Sequence, residues 1–281
     1  MNVMNGRKYI LFLLFILCLG LSCVACDVGL SLPDTTDGTP TSSATSYYTP
    51  TPQITHTATP VPTPTLSVPL GHPWPYNLPI YSVDRTDNKI CLTINCAWGA
   101  DDIPQILDIL DAFNVKTTFF MLGKWAENNP DAARAIYQRG HEIGNHSYNH
   151  VLPVTNEDTR KGKEAIEKVV GVSPKLYRAP SGEYTKACID YAYSLGMIPI
   201  QWSADTVDWK YTEIESLERL RKDTKSGGIM LFHNDTDTIL SLLPKVLKEF
   251  QEKGYTFVRL SELLYPEPYT VSIYGVQKKT S

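Results

Sequence analysis

His146 and His150 stand four residues apart, just after the run Gly-His-Glu-Ile-Gly-Asn. If the chain turns helical at Asn145, that spacing puts both imidazoles on one face, a geometry suited to a divalent cation. A catalytic metal takes a third ligand, commonly a carboxylate, and keeps one position open for water. Asp101 and Asp102, at the start of a helical stretch, are candidates. The same two residues also suit an N-cap and the helix dipole, and the roles are compatible. His233 ends the apolar run Gly-Gly-Ile-Met-Leu-Phe-His. Asp208, in Asp-Thr-Val-Asp-Trp, can supply the carboxylate that lets His233 act as a general acid. Trp209 would shield that pair and offer a flat face to a sugar ring.

Elements that could position these residues are visible from Lys89 onward, where apolar strand-like runs alternate with amphipathic helical ones. Strands are expected at 90–95, 116–121, 142–146, 175–178, 198–202, 228–233 and 256–259. Helices are expected at 102–113, 130–139, 157–170, 184–195, 213–225 and 239–253. Gly140, Gly171, Gly196 and Gly254 follow helical runs, and Thr155 and Thr212 can cap them. Alternation within one domain predicts an α/β fold with a parallel sheet: a distorted parallel (β/α) barrel of about seven strands, with a doubly wound open sheet as the alternative. No glycine-rich phosphate loop follows the first strand, so a nucleotide site is weakly supported. In such folds the working residues sit past the C-terminal ends of strands. Asn95 with Asp101 and Asp102, His146 with His150, Arg178, Asp205 with Asp208, and His233 all fall there, across five strands.

Composition bounds the rest. The 281 residues carry a net charge of -4, and 42% are hydrophobic. Mild, dispersed acidity argues against a nucleic-acid partner, and the apolar fraction excludes a polytopic membrane protein. Residues 1–26 read as a signal peptide or a membrane or lipoprotein anchor: Arg7 and Lys8 precede an uninterrupted apolar run, and Cys23 and Cys26 follow small residues. Residues 27–70, rich in Thr, Pro and Ser, read as a disordered linker, and 71–281 as the folded domain. The chain is therefore expected outside the cell or at its surface, lipid-anchored or secreted, touching membrane only through its anchor. Three of the six cysteines lie in the leader. The remaining Cys91, Cys96 and Cys188 give no disulfide framework. Cys91 and Cys96, an odd number apart on one strand, should face opposite ways. Residues 265–281 carry no readable signal.

The domain resembles the polysaccharide deacetylase family, the NodB-homology fold of carbohydrate esterase family 4. "HSYNH" at 146–150 is similar to its metal-binding histidine motif. "RAPSG" at 178–182, "DTVDW" at 205–209 and "LFH" at 231–233 match its later motifs, in order. The resemblance implies a bound divalent cation, zinc or cobalt, and hydrolysis of acetyl groups, chiefly N-acetyl, on a polysaccharide such as peptidoglycan or a chitin-like glycan. It implies that His146 and His150 hold the metal and that His233, tuned by Asp208, protonates the leaving amine. Arg178 would pair with the catalytic base. A backbone N–H near Ser181 would stabilise the oxyanion, and Leu231 and Trp209 would line the acetyl-methyl pocket. The fold needs no partner subunit, so a monomer is expected.

The first motif departs from the family. Many members read TFDDG where this chain reads "INCAWGADD", closer to a secreted bacterial branch with an AWG-type motif. Asn95 stands where the base Asp belongs, and an amide oxygen is too weakly basic to deprotonate water. Losing a general base costs about 10²–10⁴ in rate. Cys96 takes the second Asp position, so the third metal ligand is expected at Asp102, then Asp101, then Cys96. Three readings follow. The first is a metal-dependent deacetylase, placed ahead on the retained histidines, Arg178 and Asp208. The second is a degenerate member that binds glycan without turnover, and the third a structural domain without ligand.

Overall fold

The computed structural model describes residues 78–280. The leader and linker expected at 1–70 lie outside them. In chain order the elements are β1 Ser82–Val83, β2 Lys89–Cys96, α1 Ile103–Ala112, β3 Thr118–Met121, α2 Gly123–Asn128, α3 Pro130–Gln138, β4 Glu142–Asn145, α4 Asn156–Val170, β5 Leu176–Tyr177 and α5 Lys186–Ser194. There follow β6 Ile198–Pro199, β7 Ala204–Asp205, α6 Glu213–Asp223, β8 Ile229–His233, α7 Ile239–Glu252, β9 Thr256–Phe257, α8 Leu260–Leu263, β10 Tyr269–Val271 and β11 Val276–Lys279.

A parallel sheet in the order β6-β5-β4-β3-β2-β8-β7, with β9 joining β2, curls into an open half-barrel. β2 lies at its centre and is buried from Ile90 to Cys96, as a parallel strand covered on both faces must be. Side-chain alternation then sorts the strand. Ile90, Leu92, Ile94 and Cys96 face the outer core with Leu110, Leu243 and Val246. Cys91, on the other face, packs with Phe120, Leu176 and Ile198 inside the curl. Thr93 and Asn95 share that inner face.

The helices begin where the sequence places caps. Thr155 accepts from Asp158 N at the head of α4, and Thr212 and Glu215 form a reciprocal capping box at α6. Gly171 closes α4 at φ 84°, a conformation open to glycine at little cost.

Beyond the short elements β1, α2 and α8, which the sequence expectation lacks, two regions differ from it. The run 198–202 divides: β6 stops at Pro199, and β7 begins only at Ala204 on the opposite sheet edge. Residues 269–279 form a hairpin, although no periodicity announces it. Its stability is tertiary. Tyr269 and Val271 are buried against Leu260 and Leu263, and buried Gln277 bonds both backbone groups of Tyr265.

The gap in the half-barrel is spanned by residues 80–84. Ile80 N donates to Pro199 O (2.9 Å) and Gln201 N to Ile80 O (2.7 Å) on one side. Val83 N donates to Gly227 O (2.9 Å) on the other, and β1 pairs in parallel with β11.

His141, just before β4, is buried. Its Nδ1 accepts from Thr117 N (3.2 Å), and Nε2 has no partner. Burial lowers its pKa from 6.5 to about 3. Below pH 6.5 the unfolded chain takes a proton that the folded chain refuses until about pH 3. Stability is therefore lost as pH falls through that window, at about 1.4 kcal/mol per unit from this group. Urea melts between pH 6.5 and 4.5 should show His141→Gln with a shallower acid-side loss, by about 2–3 kcal/mol in all. Parallel wild-type and variant curves would refute this.

Candidate active site

Five strand ends deliver the chemistry-bearing side chains to one mouth of the half-barrel. Asn95 comes from β2, His146 and His150 from the chain after β4, Arg178 from β5, Asp208 from the loop after β7, and His233 from β8.

The histidine pair is assembled, but not on a helix. β4 ends at Asn145, whose side chain ends the extended run: Oδ1 accepts from Ser147 N (2.9 Å) and Nδ2 donates to Thr159 O (2.9 Å). Ser147 (φ 70°) and His150 (φ 58°) then take left-handed conformations, and Asp158 Oδ2 accepts from Tyr148 N and Asn149 N. The result is a tight loop seated on α4. It brings the two imidazoles together with ring centroids 5.1 Å apart.

Hydrogen bonding fixes the state of His146. Nδ1 lies 2.8 Å from Arg178 O, a pure acceptor, so Nδ1 carries the proton. Nε2 therefore presents a lone pair, 3.3 Å from Asn95 Nδ2. The amide orientation follows from its other end. Asn95 Oδ1 faces Arg178 Nη1 at 3.0 Å, and a guanidinium can only donate. Asn95 thus donates to His146 and accepts from Arg178. Burial holds His146 well below the usual imidazole value, with His150 adding to the effect.

Arg178 is wholly buried. It donates to Thr93 Oγ1 (2.9 Å), Asn95 Oδ1 and Gln201 O (3.1 Å), and lies over the rings of Phe120 and Trp202. Its Nε has no partner among the described residues. Burial pulls its pKa down, and among the described residues no carboxylate forms an ion pair with it. Where the resemblance places a carboxylate, its partner is the Asn95 amide oxygen.

His233 is the better-equipped histidine. Asp208 Oδ1 accepts from its Nδ1 and Oδ2 from its backbone N–H, both at 2.8 Å. That bidentate grip fixes the ring and leaves Nε2 to the pocket. A cavity of about 280 Å³ opens here, lined by Asn95, His150, Ser181, Trp202, Leu231 and His233, with Trp98 and Trp209 at its mouth. Ser181 lies in the 3-10 turn Pro180–Gly182 at φ 55°.

The third-ligand candidates go elsewhere. Asp102 accepts from Asn234 Nδ2 (3.2 Å) and Asp235 N (2.6 Å), and its side chain makes no helix cap. Asp101 is exposed. Cys96 points into the outer core, and burial pushes its thiol up, away from the thiolate that ligates metal. Among the described residues no three His, Cys, Asp or Glu side chains come together as a cation site. Two histidines remain, and the lone pair of one already takes the Asn95 N–H. The residues present do not fit the divalent cation that the resemblance implies.

Asp102 instead belongs to a clasp. Gly99 N donates to Asp235 Oδ2 (2.8 Å), while Gly99 O accepts from Asn234 Nδ2 (2.7 Å) and Trp125 Nε1 (2.9 Å). A Cβ on Gly99 would lie 2.9 Å from the Asp235 carboxylate, which would have to shift to admit it. The clasp ties the loop after β2 to the loop after β8 and holds Trp98 5.6 Å from the His233 ring. Trp98 and Trp202 are not among the sequence candidates, yet both sit just past strand ends, the position that marks the polar candidates.

The polysaccharide deacetylase model matches residues 82–200. The uncharacterised protein YlxY of Bacillus subtilis is 36% identical over 193 residues, 66% of this chain and 60% of its own length. The chain thus spans less than two thirds of that relative. A peptidoglycan-N-acetylglucosamine deacetylase of Bacillus cereus is 34% identical over 66% of this chain and 92% of its own. Among solved structures, BA3943 of Bacillus anthracis, described as a family pseudoenzyme, superposes with a TM-score of 0.64. It is 31% identical and covers 66% of this chain and 69% of its own. A mutant of it, described as having restored enzymatic activity, superposes equally well at 31% identity, over 66% of this chain and 71% of its own.

Proposed function

The chain belongs to the polysaccharide deacetylase family, and from that premise we propose that it is a degenerate member, which binds acetylated glycan without turning it over. The observation that carries this is the Asn95 side chain. Its two ends are committed to Arg178 and His146, so the position that should hold a base offers water no proton acceptor. Among the described residues no acid completes the histidine pair either. BA3943, a pseudoenzyme by description, supports the same reading.

What the chain retains is a binding site. Trp98, Trp202 and Trp209 line the cavity, and indole faces suit the apolar face of a pyranose. Leu231 and the turn at Ser181 shape the inner end for a small group such as an acetyl. His233, steered by Asp208, can donate a hydrogen bond there or accept one. The ligand is a cell-wall or extracellular glycan, peptidoglycan in the first instance, following the name of the Bacillus cereus relative. Such a ligand agrees with an extracellular chain that acts as a monomer, anchored or secreted through the apolar leader.

The His233–Asp208 pair favours a second reading, residual acetyl hydrolysis with zinc or cobalt. One experiment separates them. The purified chain should bind N-acetylglucosamine oligomers or peptidoglycan equally well with and without chelator. It should release no acetate between pH 5 and 9 with either metal. Acetate above the metal-only background would restore the hydrolase reading.

A further inference from the structure

Beyond the inner cavity, Trp98 and Trp209 also line an outer trough of about 580 Å³, within the range of small-molecule sites. Trp98 and Trp209 are 50% and 61% exposed, unusual for large aromatics outside a contact surface. Tyr211, Thr212 and the segment 235–238 after β8 complete its lining.

The charges here are distinctive. Asp235 and Asp237 are exposed and line the trough, and among the described residues neither has a cationic side chain within ion-pair distance. Asp235 is not a loose surface acid, because Gly99 N–H holds its Oδ2 in place. Lys210, the one base on the lining, lies over the Tyr211 ring at 5.3 Å and pairs with neither carboxylate. Thr236 Oγ1, between them in sequence, is a buried hydroxyl without a hydrogen-bond partner among the described residues.

We propose that this trough is a second saccharide subsite that takes an amino sugar with a free, protonated amine, next to the acetylated residue in the inner cavity. The proposal rests on the glycan-binding reading and deepens it: the preferred ligand is a partly de-N-acetylated glycan. An ammonium group gains from the carboxylates and from the indole faces that line the trough, whereas an acetamido group brings neither charge nor cation–π attraction. One exposed ion pair with one cation–π contact gives a preference of about tenfold.

The test is calorimetric titration of the purified chain at pH 6 with three tetramers: glucosamine, N-acetylglucosamine, and a mixed tetramer carrying both. The mixed tetramer should bind tightest, about tenfold better than the fully acetylated one, and this advantage should shrink as salt rises. Asp237→Asn, which breaks no contact in the clasp, should remove most of the advantage. Asp235→Asn should do the same if its thermal melt matches wild type. Equal or tighter binding of the fully acetylated tetramer would overturn the subsite while leaving the glycan-binding function standing. An amine preference indifferent to salt and to Asp237→Asn would overturn it too, because the preference would arise elsewhere. If no tetramer and no peptidoglycan binds, the glycan-binding reading itself falls.

Discussion

Asn95→Asp is expected to give a protein whose melting temperature rises when zinc is added, while the wild type melts at the same temperature with zinc or with chelator. The amide now meets two opposite needs. Its oxygen faces a buried cation and its N–H faces the His146 lone pair, at 3.0 and 3.3 Å. A carboxylate meets the first need better, giving Arg178 the counterion it lacks. Breaking such a buried pair costs about 3–5 kcal/mol, so supplying it is worth a sizeable part of that. The second need is no longer met, because a carboxylate oxygen would confront the lone pair of Nε2. A proton on Nε2 or a cation between them reconciles the two, and only the cation makes stability depend on zinc. Zinc at a hundred times its dissociation constant would then add about 2.7 kcal/mol, or roughly 5–10 °C for a domain of this size. Scanning calorimetry on both proteins, with zinc and with chelator, decides it. A wild-type shift as large as the variant's would mean that the histidine pair binds metal without help.

Gly162→Ala should be among the most damaging single-methyl changes in the domain. Gly162 lies in α4, where alanine ordinarily gains about 1 kcal/mol in helix propensity. Here a Cβ would meet Ser147 C at 2.4 Å, Ser147 O at 2.5 Å and Asn145 Oδ1 at 2.6 Å. Two of those atoms are backbone of the loop that carries His146 and His150, so no side-chain rotation relieves the clash. We expect a net loss of about 3 kcal/mol in urea unfolding, at the upper end for overpacking. Oligosaccharide affinity should fall at least about tenfold as the loop lifts, a displacement worth roughly 1.4 kcal/mol. A stability gain near 1 kcal/mol would show that the loop has room and would defeat this account.

These two sites show what the sequence could and could not disclose. Strand–helix alternation and the polar residues at strand ends were legible, because a parallel sheet buried on both faces imposes both patterns. Cys91 and Cys96 facing opposite ways followed from strand geometry alone. The histidine spacing predicted a shared face, which a helix would provide. The loop provides it instead, because Asn145 ends the strand with its own side chain, a choice decided by partners on α4. Asp102 had the type and place of a ligand. Its engagement with Asn234 and Asp235, 132 and 133 residues away, is a fact of tertiary packing. The hairpin of β10 and β11 escaped notice for the same reason: what orders it is a single buried glutamine and a few side chains from elsewhere in the chain.

The segment that spans the half-barrel gap also decides how the domain bears force. A pull delivered along the chain at Leu78 runs lengthwise through residues 80–84. These are bonded on one flank to Pro199 and Gln201 and on the other to Gly227, Gly275 and Gln277. Such a load is shear: the bonds on both flanks share it at once, like a lap joint, instead of opening one after another like a zipper. The segment that spans the gap is therefore also the part of the domain built to carry such a load without unravelling the fold from its leading edge.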